Sequence, residues 1–489
     1  MGRISLGVEV TRLLDRAGPL LATAADTAAA VSIRDRLEEP LRVAIAGRVK
    51  AGKSTLLNAL VGERLAPTDA GECTKVVTWY RHGLAYDVAA VLGDGERRPV
   101  RFEREDGRLA IDLGNLDVSR IDRLDVTWPS ARLRGFTLID TPGLEAHDEA
   151  SAGRALQLLG AGGAGSSRVD AVIYLMRHLH RLDVEFLDAF TDRSVPHPSP
   201  VNAIAVLSRA DEIGAGRLDA LVSADRVAQR YREDGRMRAL CATVVPVAGL
   251  IAETGRSLRE HEGASLRAIA ELDADEKTAM LRSVDRFTDP DRSPLDSETR
   301  RDLLLRLGLF GVRFGIDRVG EGDWTASDVA RSLVDASGID HLAGLLEKHF
   351  ASRAALLKAR SAIAGAKALF GGLAPSPEAA DLLNEIERIE SASAELAELK
   401  LLHLAASGLA EFDDAENAEV DHLVSDGTPQ SRLGMTKGAD SAMLRAHVLE
   451  RLATWRDLAA FPLAGSERRE ACELVATVYE RLHADLVDG

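Results

Sequence analysis

Cysteine is scarce in this chain. The 489 residues include only 3 cysteines, Cys73, Cys241 and Cys472, and no two of them form a C-x-x-C pair. Thiols this few and this widely spaced exclude a disulfide framework and are typical of proteins in a reducing compartment. We therefore expect a cytoplasmic protein.

Aromatic residues and long apolar stretches are also few. Phe, Trp and Tyr make up 4% of the chain, which favours helices packed through alanine and leucine over a β-sandwich. No apolar run approaches the roughly 18 residues that a membrane-spanning helix needs. With 46% hydrophobic and 28% charged residues, the chain is globular, and its length allows about two to four domains.

Positive charge is in deficit as well. The 61 Lys and Arg residues stand against 77 Asp and Glu, a formal net charge of −16. Because proteins that bind nucleic acid neutralise its phosphates with basic patches, this balance argues against nucleic acid as a partner. It also gives no support for simple electrostatic attraction to an anionic membrane.

The order of apolar segments predicts an α/β phosphate-loop domain and an all-α helical bundle. From residue 41 to about 250, β-branched runs alternate with helical periodicity, which favours a mostly parallel sheet with helices on both faces. The predicted strands are 41–46, 86–92, 123–128, 133–139, 169–176, 201–207 and 243–248. We expect a nucleotide-binding domain at 39–350 with a helical insertion at 252–335, and one bundle built from helices at 1–38 and a helical neck and trunk at 351–489.

The most informative motif is G-R-V-K-A-G-K-S at residues 47–54, placed between a predicted strand and a predicted helix. Glycines at 47 and 52 let the backbone N–H groups turn toward phosphate oxygens, at the positive end of the helix dipole. Lys53 would reach the β- and γ-phosphates, and the Ser54 hydroxyl would bind Mg²⁺. The alternative is a glycine turn that carries Lys and Ser without binding phosphate, but this does not explain the flanking strand and helix.

A second motif, D-T-P-G at residues 140–143, ends another predicted strand. A carboxylate at this position, Asp140, can hold Mg²⁺ through water. The N–H of Gly143 can donate to the γ-phosphate, and a glycine lets that backbone move when the phosphate leaves. In isolation such a sequence is more often an ordinary turn, but its order after a phosphate loop favours the catalytic interpretation.

A third motif, Ser208-Arg209-Ala210-Asp211, also follows a strand and bears on the choice of purine. Guanine offers N1–H and N2–H₂ as paired donors, and one carboxylate accepts both. Asp211 therefore favours GTP over ATP, with Arg209 laid over the base and Ser208 as a hydroxyl anchor. The usual guanine motif is N/T-K-x-D, so this chain departs from it, and an ordinary surface ion pair is the alternative.

Together with P-T-D-A-G-E-C-T-K-V-V-T at 67–78 and L-S-R-A-D-E-I-G at 207–214, these motifs resemble those of bacterial dynamin-like GTPases. The chain is similar in particular to the isoniazid-inducible proteins of actinobacteria. The resemblance implies that Thr74 is the switch threonine that binds Mg²⁺ and holds the attacking water; Thr78 is the nearest competitor, and an ordinary loop threonine is the alternative. It also implies that Val247 and Ala248 touch the base through their backbone.

Two positions inside the phosphate loop separate this chain from eukaryotic dynamins, which carry a catalytic Gln and Ser there. Val49 and Lys50 occupy those positions. Guanylate-binding proteins and atlastins place a cis arginine finger at the position of Lys50. We hypothesise that Lys50, or failing it Arg48, stabilises the charge of the transition state. A solvated loop lysine is the alternative.

The sequence thus predicts a GTPase that uses GTP and Mg²⁺, forms a homodimer through its nucleotide-binding domains, and remodels membranes. The predicted catalytic residues are Lys53, Thr74, Lys50 and Gly143, the predicted metal ligands are Ser54, Thr74 and Asp140, and the predicted nucleotide-binding residues are Gly47, Arg48, Val49, Lys50, Ala51, Gly52, Lys53, Ser54, Thr55, Ser208, Arg209, Asp211, Val247 and Ala248.

Acidic residues outnumber basic ones after residue 350, so the helical part is not attracted to an anionic membrane by its net charge. Candidate lipid-contacting tips are 371–377 and 425–438. The most apolar segment, 303–312, is expected to pack against protein, since arginines at 306 and 313 make it a poor candidate for insertion into lipid.

Peripheral contact with the inner face of the cell membrane would then depend on a partner such as a longer dynamin-like paralogue. The alternative function is a regulatory GTP switch that docks a protein partner and does no membrane work.

Overall fold

The structure, a computed structural model, describes residues 5–67, 76–105, 108–143, 169–190, 202–289, 295–320, 322, 324–406, 408, 410–424, 427–436 and 438–488. The strands are β1 Leu41–Gly47, β2 Thr78–His82, β3 Asp87–Leu92, β4 Arg97–Pro99, β5 Arg101–Glu105, β6 Arg108–Asp112, β7 Ile121–Trp128, β8 Phe136–Asp140, β9 Ala171–Met176, β10 Ala203–Ser208 and β11 Val244–Val247.

Helices account for most of the remaining described residues. They are α1 Leu6–Ala17, α2 Ala24–Glu38, α3 Lys53–Val61, α4 Arg181–Phe190, α5 Ala220–Glu233, α6 Gly235–Leu240, α7 Gly249–Gly255, α8 Glu260–Ala270, α9 Ala274–Met280, α10 Val284–Thr288, α11 Ser297–Gly320, α12 Ala326–Ala336, α13 Ile339–Leu346, α14 Ala354–Gly372, α15 Pro377–Ala392, α16 Ala394–Ala406, α17 Asp414–Leu423, α18 Pro429–Arg432, α19 Ser441–Ala459 and α20 Ser466–Asp488. None of the helices in the described part of the chain combines the length and apolar character needed to cross a bilayer.

Nine strands form one mostly parallel sheet in the order β11-β10-β9-β1-β8-β2-β7-β3-β4. The first five strands in this order are mutually parallel, whereas β2 runs antiparallel to β8 and β3 antiparallel to β7. The carboxyl ends of those five strands consequently meet at one edge of the sheet. In an open α/β sheet this edge is where ligands bind.

Helices cover both faces of the sheet, as the sequence predicts. Ala44 of β1 belongs to a hydrophobic cluster that includes residues of α8 and α11, while its neighbours Val43 and Ile45 belong to the opposite cluster with α3 and α13. The alternation follows from the two-residue period of side chains along a strand. All six residues of β9 and of β10 are buried, as expected for strands covered on both faces.

The apolar segment 303–312 lies within α11 and packs against the nucleotide-binding domain. Leu303, Leu307 and Phe310 are buried in the same cluster as Ile251 of α7. Leu305 points away from this cluster, with 75% of its surface exposed. Packing against protein is therefore the observed arrangement for most of this segment, as the sequence predicts.

The N-terminal helices pack against α14 and α15, which follow the nucleotide-binding domain in the sequence. Leu13 and Ile33 share a hydrophobic cluster with Ile363, Phe370 and Ile386 of α14 and α15. α1 ends at Ala17, directly before Gly18-Pro19, and a capping box between Thr23 and Asp26 starts α2. Each segment thereby covers the apolar face of the other, which would be exposed to water if the helices were separate.

Two polar contacts tie α2 to the sheet and to α14. The guanidinium of Arg36 pairs with the carboxylate of Asp170 at 2.5 Å, with both side chains buried. The ammonium of Lys358, on α14, donates to the carbonyl oxygens of Leu37 and Glu39 at 2.7 and 3.0 Å. The second contact satisfies carbonyl groups at the end of α2, which lack partners within the helix.

The helices after residue 394 form a further hydrophobic cluster, whose buried apolar residues run from Leu401 to Leu482. Beside it, the carboxylate of Glu419 accepts hydrogen bonds from the Trp455 indole at 2.8 Å and the Tyr479 hydroxyl at 2.6 Å. The sequence predicts one bundle from the N-terminal helices and everything after 350. Within the described residues, α1 and α2 share one cluster with α14 and α15, and Leu396 of α16 packs against it. The helices from Leu401 onward share a second cluster.

Candidate functional site

The phosphate loop begins where β1 ends, at the edge of the sheet described above. Gly47 has a φ of +147°, and a Cβ there would lie 2.5 Å from the carbonyl oxygen of Leu175 on β9. Gly52, with a φ of +98°, is the residue from which α3 starts. Both glycines are therefore required by a backbone conformation that L side chains rarely adopt. Lys50, between them, has a φ of +61° and an exposed side chain.

Lys53 is the first residue of α3 and is buried under the loop. Its ammonium lies 3.3 Å from the carbonyl oxygen of Gly47 and 3.4 Å from that of Arg48. Burial lowers the pKa of Lys53, and the nearby Asp140 carboxylate opposes this shift. The side chain thus holds the loop closed around the position where we expect the phosphates.

Ser54 and Asp140 meet beside Lys53. The Ser54 hydroxyl donates to Oδ2 of Asp140 at 3.0 Å. Oδ1 of the same carboxylate is buried and has no hydrogen-bond partner among the described residues. Burial raises the pKa of Asp140, against the effects of Lys53 and of the Ser54 hydrogen bond. A hydroxyl and an orphaned carboxylate oxygen fit Mg²⁺, which prefers hard oxygen ligands.

The D-T-P-G turn is held directly against the phosphate loop. The Thr141 hydroxyl donates to the carbonyl oxygen of Ile45 at 2.9 Å. A Cβ on Gly143 would lie 2.4 Å from Cγ2 and 2.9 Å from Cα of Val49. Only a glycine fits at this contact unless the loop moves.

Residues from the phosphate loop and from the third motif line one cavity of about 130 Å³. The lining residues are Ala51, Gly52, Thr55, Leu56, Leu175, Val206, Ser208, Arg209, Asp211, Glu212, Val247, Gly249 and Leu250. The structure therefore brings together segments that lie far apart in the sequence, as a nucleotide with a phosphate end and a base end would require.

Within this cavity Asp211 is the buried acid. It is 6% exposed, and burial raises its pKa to about 6. The Ser208 hydroxyl donates to the carbonyl oxygen of Met176 at 3.2 Å, which anchors the end of β10 to β9. Arg209 has a φ of +53°, so the backbone turns sharply between the strand and Asp211.

Glu212 is a cavity residue that the sequence motifs do not single out. Its carboxylate pairs with Arg209 at 2.6 Å and with Arg177, after β9, at 2.5 Å. All three side chains are partly exposed, so the bridges are weak individually. Their effect is to orient Arg209 beside the cavity. In the sequence, Glu212 could have been noticed only as a second acid directly after Asp211.

Of the two residues predicted to touch the base through their backbone, Val247 lines this cavity and Ala248 does not. Ala248 is fully buried and its N–H donates to the carbonyl oxygen of Ser337 at 2.9 Å, so its neighbour Val247 is the one that lines the cavity. Thr74, predicted as the switch threonine, lies outside the described residues.

Comparison with known proteins adds independent findings. A sequence model described as the dynamin family matches residues 43–176. The chain is 37% identical to the isoniazid-induced protein IniC of Mycobacterium tuberculosis over 453 residues, covering 92% of this chain and 91% of that protein. It is 36% identical to the isoniazid-induced protein IniA of the same species over 120 residues, which cover 23% of this chain and 18% of that protein.

More distant relatives match over the same limited length. A bacterial dynamin-like protein of Nostoc punctiforme is 32% identical over 127 residues, which cover 23% of this chain and 18% of that protein. Among solved structures, a chain from an oligomerised bacterial dynamin pair aligns over 99% of this chain and 74% of its own, at 13% identity and a TM-score of 0.34.

Proposed function

Because this chain belongs to the bacterial dynamin-like proteins of the isoniazid-induced type, we propose that it hydrolyses GTP and couples hydrolysis to contact between two nucleotide-binding domains. The observation that carries the proposal is the shared cavity. It joins Gly52 and Thr55 of the phosphate-binding end to the buried acid Asp211 at the base-binding end. A cavity with a phosphate-binding end and a base-binding end is the arrangement that GTP binding would need.

Binding is divided between the two ends of the cavity. Backbone N–H groups of the loop 47–54 and the Lys53 ammonium bind the phosphates. Asp211 accepts the two donors of guanine, and Arg209 covers the face of the base.

Two further groups act at the phosphate end. Gly143, held against Val49, brings its N–H to the γ-phosphate side of the loop. Ser54 and Asp140, with Thr74 from the sequence resemblance, would hold Mg²⁺, which neutralises charge on the phosphate oxygens.

Catalysis requires a further positive charge near the transferred phosphate. Lys50 is exposed on the phosphate loop. We propose that it stabilises the transition state, with Arg48 as the alternative. Its exposure suits a residue that becomes covered when a second nucleotide-binding domain docks on the loop.

We propose that residues 39–350 act as the nucleotide-driven unit and that 1–38 and 351–489 form the moving helical part. The buried pair Arg36–Asp170 supports the coupling, since Asp170 immediately precedes β9 and Arg36 lies on α2. Asp170 lies at the amino end of β9, opposite the nucleotide edge, so the pair would pass movement of the sheet to the bundle through α2 and α14.

Membrane contact is the proposed output, made alone or with a longer dynamin-like paralogue. Of the two tips considered, 371–377 is the better candidate, because it forms the turn between α14 and α15 and Gly371 and Gly372 are exposed. At the other tip, Arg432 donates to the carbonyl oxygen of Leu423 at 2.7 Å and Leu433 is 8% exposed. Arg432 and Leu433 therefore contact neighbouring helices and are not available to contact lipid.

The rate of GTP hydrolysis measured against protein concentration tests the proposal. We expect the specific rate to rise with concentration, because dimerisation would complete the site, and Lys53→Ala to abolish it. A specific rate that does not change with protein concentration would contradict dimer-stimulated catalysis. Absence of GTP hydrolysis would contradict the proposal that the protein is a GTPase.

Co-sedimentation with liposomes, with and without a GTP transition-state analogue, separates the two candidate outputs. Lipid binding and tubulation support membrane remodelling. Binding to a protein partner alone, together with slow turnover that does not respond to concentration, supports the regulatory switch.

A further inference from the structure

Helix α11 is interrupted at Gly308. This residue has a φ of +65° and a ψ of 173°, which is not a helical conformation. Only glycine adopts that combination readily, because a Cβ would clash with the backbone. The interruption thus depends on the glycine at this one position of an otherwise continuous helix.

The interruption lies against the acid that we assign to guanine. A Cβ on Gly308 would lie 3.7 Å from Oδ2 of Asp211 and 3.4 Å from Cδ2 of Leu250. Leu250 lines the cavity beside Asp211. Both Cβ separations are ordinary van der Waals distances, so the carboxylate packs against α11 at the interruption. The helix thereby contributes to the burial that raises the pKa of Asp211 to about 6.

The loop that carries Asp211 is also tied to α11. Gly214, Ala215 and Gly216 all have positive φ values, so the chain curls back on itself after the acid. Arg313 donates to the carbonyl oxygens of Ala215 and Gly216 at 3.0 and 2.6 Å. It also donates to that of Leu281 at 3.0 Å, through its Nε.

Arg313 therefore bridges two segments through hydrogen bonds. One set of its N–H groups reaches the loop after β10, and another reaches the turn after α9. A planar guanidinium can span both at once, which the ammonium of a lysine cannot match.

We propose that α11 is part of the guanine-recognition apparatus: its backbone at the Gly308 interruption packs against the Asp211 carboxylate, and Arg313 positions the loop that carries this acid. Gly308→Ala acts by straining the left-handed backbone that makes this contact. The inference rests on the proposed function, because it assumes that Asp211 binds guanine. It adds that selectivity is set from within the helical segment 252–335, outside the nucleotide motifs.

Comparison of GTP with ITP tests the placement of the carboxylate. Hypoxanthine keeps N1–H but lacks the 2-amino group, so the preference for GTP over ITP measures the second hydrogen bond to Asp211. A hydrogen bond to a charged acceptor corresponds to a preference on the order of tenfold or more. A variant that merely unfolds loses both nucleotides in proportion and leaves this ratio unchanged.

The first variant is Gly308→Ala, matched with Gly320→Ala at the end of the same helix, where a Cβ meets nothing within 4 Å. Affinities for GTP and ITP are measured by calorimetry on the full chain. We expect the ratio to fall below about threefold in Gly308→Ala and to stay at the wild-type value in Gly320→Ala. An unchanged ratio in Gly308→Ala overturns the role of the interruption.

The second test uses Arg313 and stands even if Gly308→Ala fails to fold. We expect Arg313→Met to lower the GTP/ITP ratio, Arg313→Lys to restore part of it, and Arg301→Met, at an exposed arginine of α11, to leave it unchanged. A wild-type ratio in Arg313→Met overturns the positioning role. Failure of the wild-type chain to bind GTP would instead overturn the proposed function.

Discussion

Gly143 approaches Val49 so closely that no side chain fits between them: a Cβ on Gly143 would lie 2.4 Å from Cγ2 of Val49. The contact joins the end of the D-T-P-G motif to the middle of the phosphate loop. Two segments that lie far apart in the sequence are thereby forced to move together. The loss caused by a larger side chain at position 143 should therefore be reduced by a smaller side chain at position 49.

Gly143→Ala should lower kcat for GTP hydrolysis at least about tenfold, because the added methyl displaces the phosphate loop from its position. Val49→Ala removes the methyl group that would collide, and the double variant should recover part of the loss. Recovery will be incomplete because Cα of Val49 would also lie 2.9 Å from the new Cβ. A double-mutant cycle of steady-state rates measures the coupling. Strictly additive losses would contradict a direct contact.

GTP affinity should depend on the protonation of Asp211. Burial raises the pKa of this carboxylate to about 6, Glu212 adds to the shift and Arg209 opposes it. Guanine pairs with the ionised form, so affinity should be full well above pH 6 and should fall as pH drops through that value, by about tenfold per unit at low pH.

The nucleotide's own phosphates also titrate in this range, so a matched control is needed. Asp211→Asn cannot ionise and should bind GTP more weakly, with only the phosphate contribution to its profile. The ratio of wild-type to variant affinity between about pH 5 and 8, measured by fluorescence titration, isolates Asp211. A ratio that does not vary with pH would contradict the role of this carboxylate.

Lys50 should contribute to turnover and little to nucleotide affinity. Its φ of +61° makes Lys50→Asn the best neutral substitution, since asparagine tolerates the left-handed region. We expect concentration-stimulated hydrolysis to fall at least about tenfold and the Kd for GTP to stay within about threefold. Lys50→Arg should retain most of the rate. Full stimulated hydrolysis in Lys50→Asn would show that Lys50 is a solvated loop residue.

The buried ion pair Arg36–Asp170 should matter for stability. Asp170→Ala leaves the Arg36 guanidinium buried without this partner and also removes an acceptor from the backbone N–H of Arg42. We expect a loss of about 3–5 kcal/mol in the free energy of unfolding, measured by urea denaturation.

The exposed pair Arg97–Asp87 is the matched control, because both of its side chains are about half exposed. Asp87→Asn should cost less than about 1 kcal/mol. Equal effects of the two substitutions would mean that burial does not decide the strength of the Arg36–Asp170 pair.

Much of the nucleotide-binding domain can be predicted because its strands are apolar and its motifs are local. β1, β9 and β10 are almost entirely buried, so their composition marks them without any knowledge of their partners. The phosphate loop is recognisable because the glycines at 47 and 52 serve a backbone need that is complete within the motif itself.

Other strands escape prediction for a physical reason. β4 is Arg-Arg-Pro and entirely exposed, and the hairpin of β5 and β6 is rich in charge. β2 carries Arg81 and His82 after its buried residues. Such segments become strands because a neighbouring strand satisfies their backbone groups, and composition does not record which neighbour that is.

By itself, the sequence of this protein determined the buried parallel strands, the phosphate loop at 47–54 and the positions of Asp140 and Asp211 at strand ends, because each depends on residues close together in the chain. The tertiary structure alone decided that Gly143 would lie against Val49 and that Gly308 would lie against Asp211. Those contacts join segments many residues apart, and their distances are set by packing.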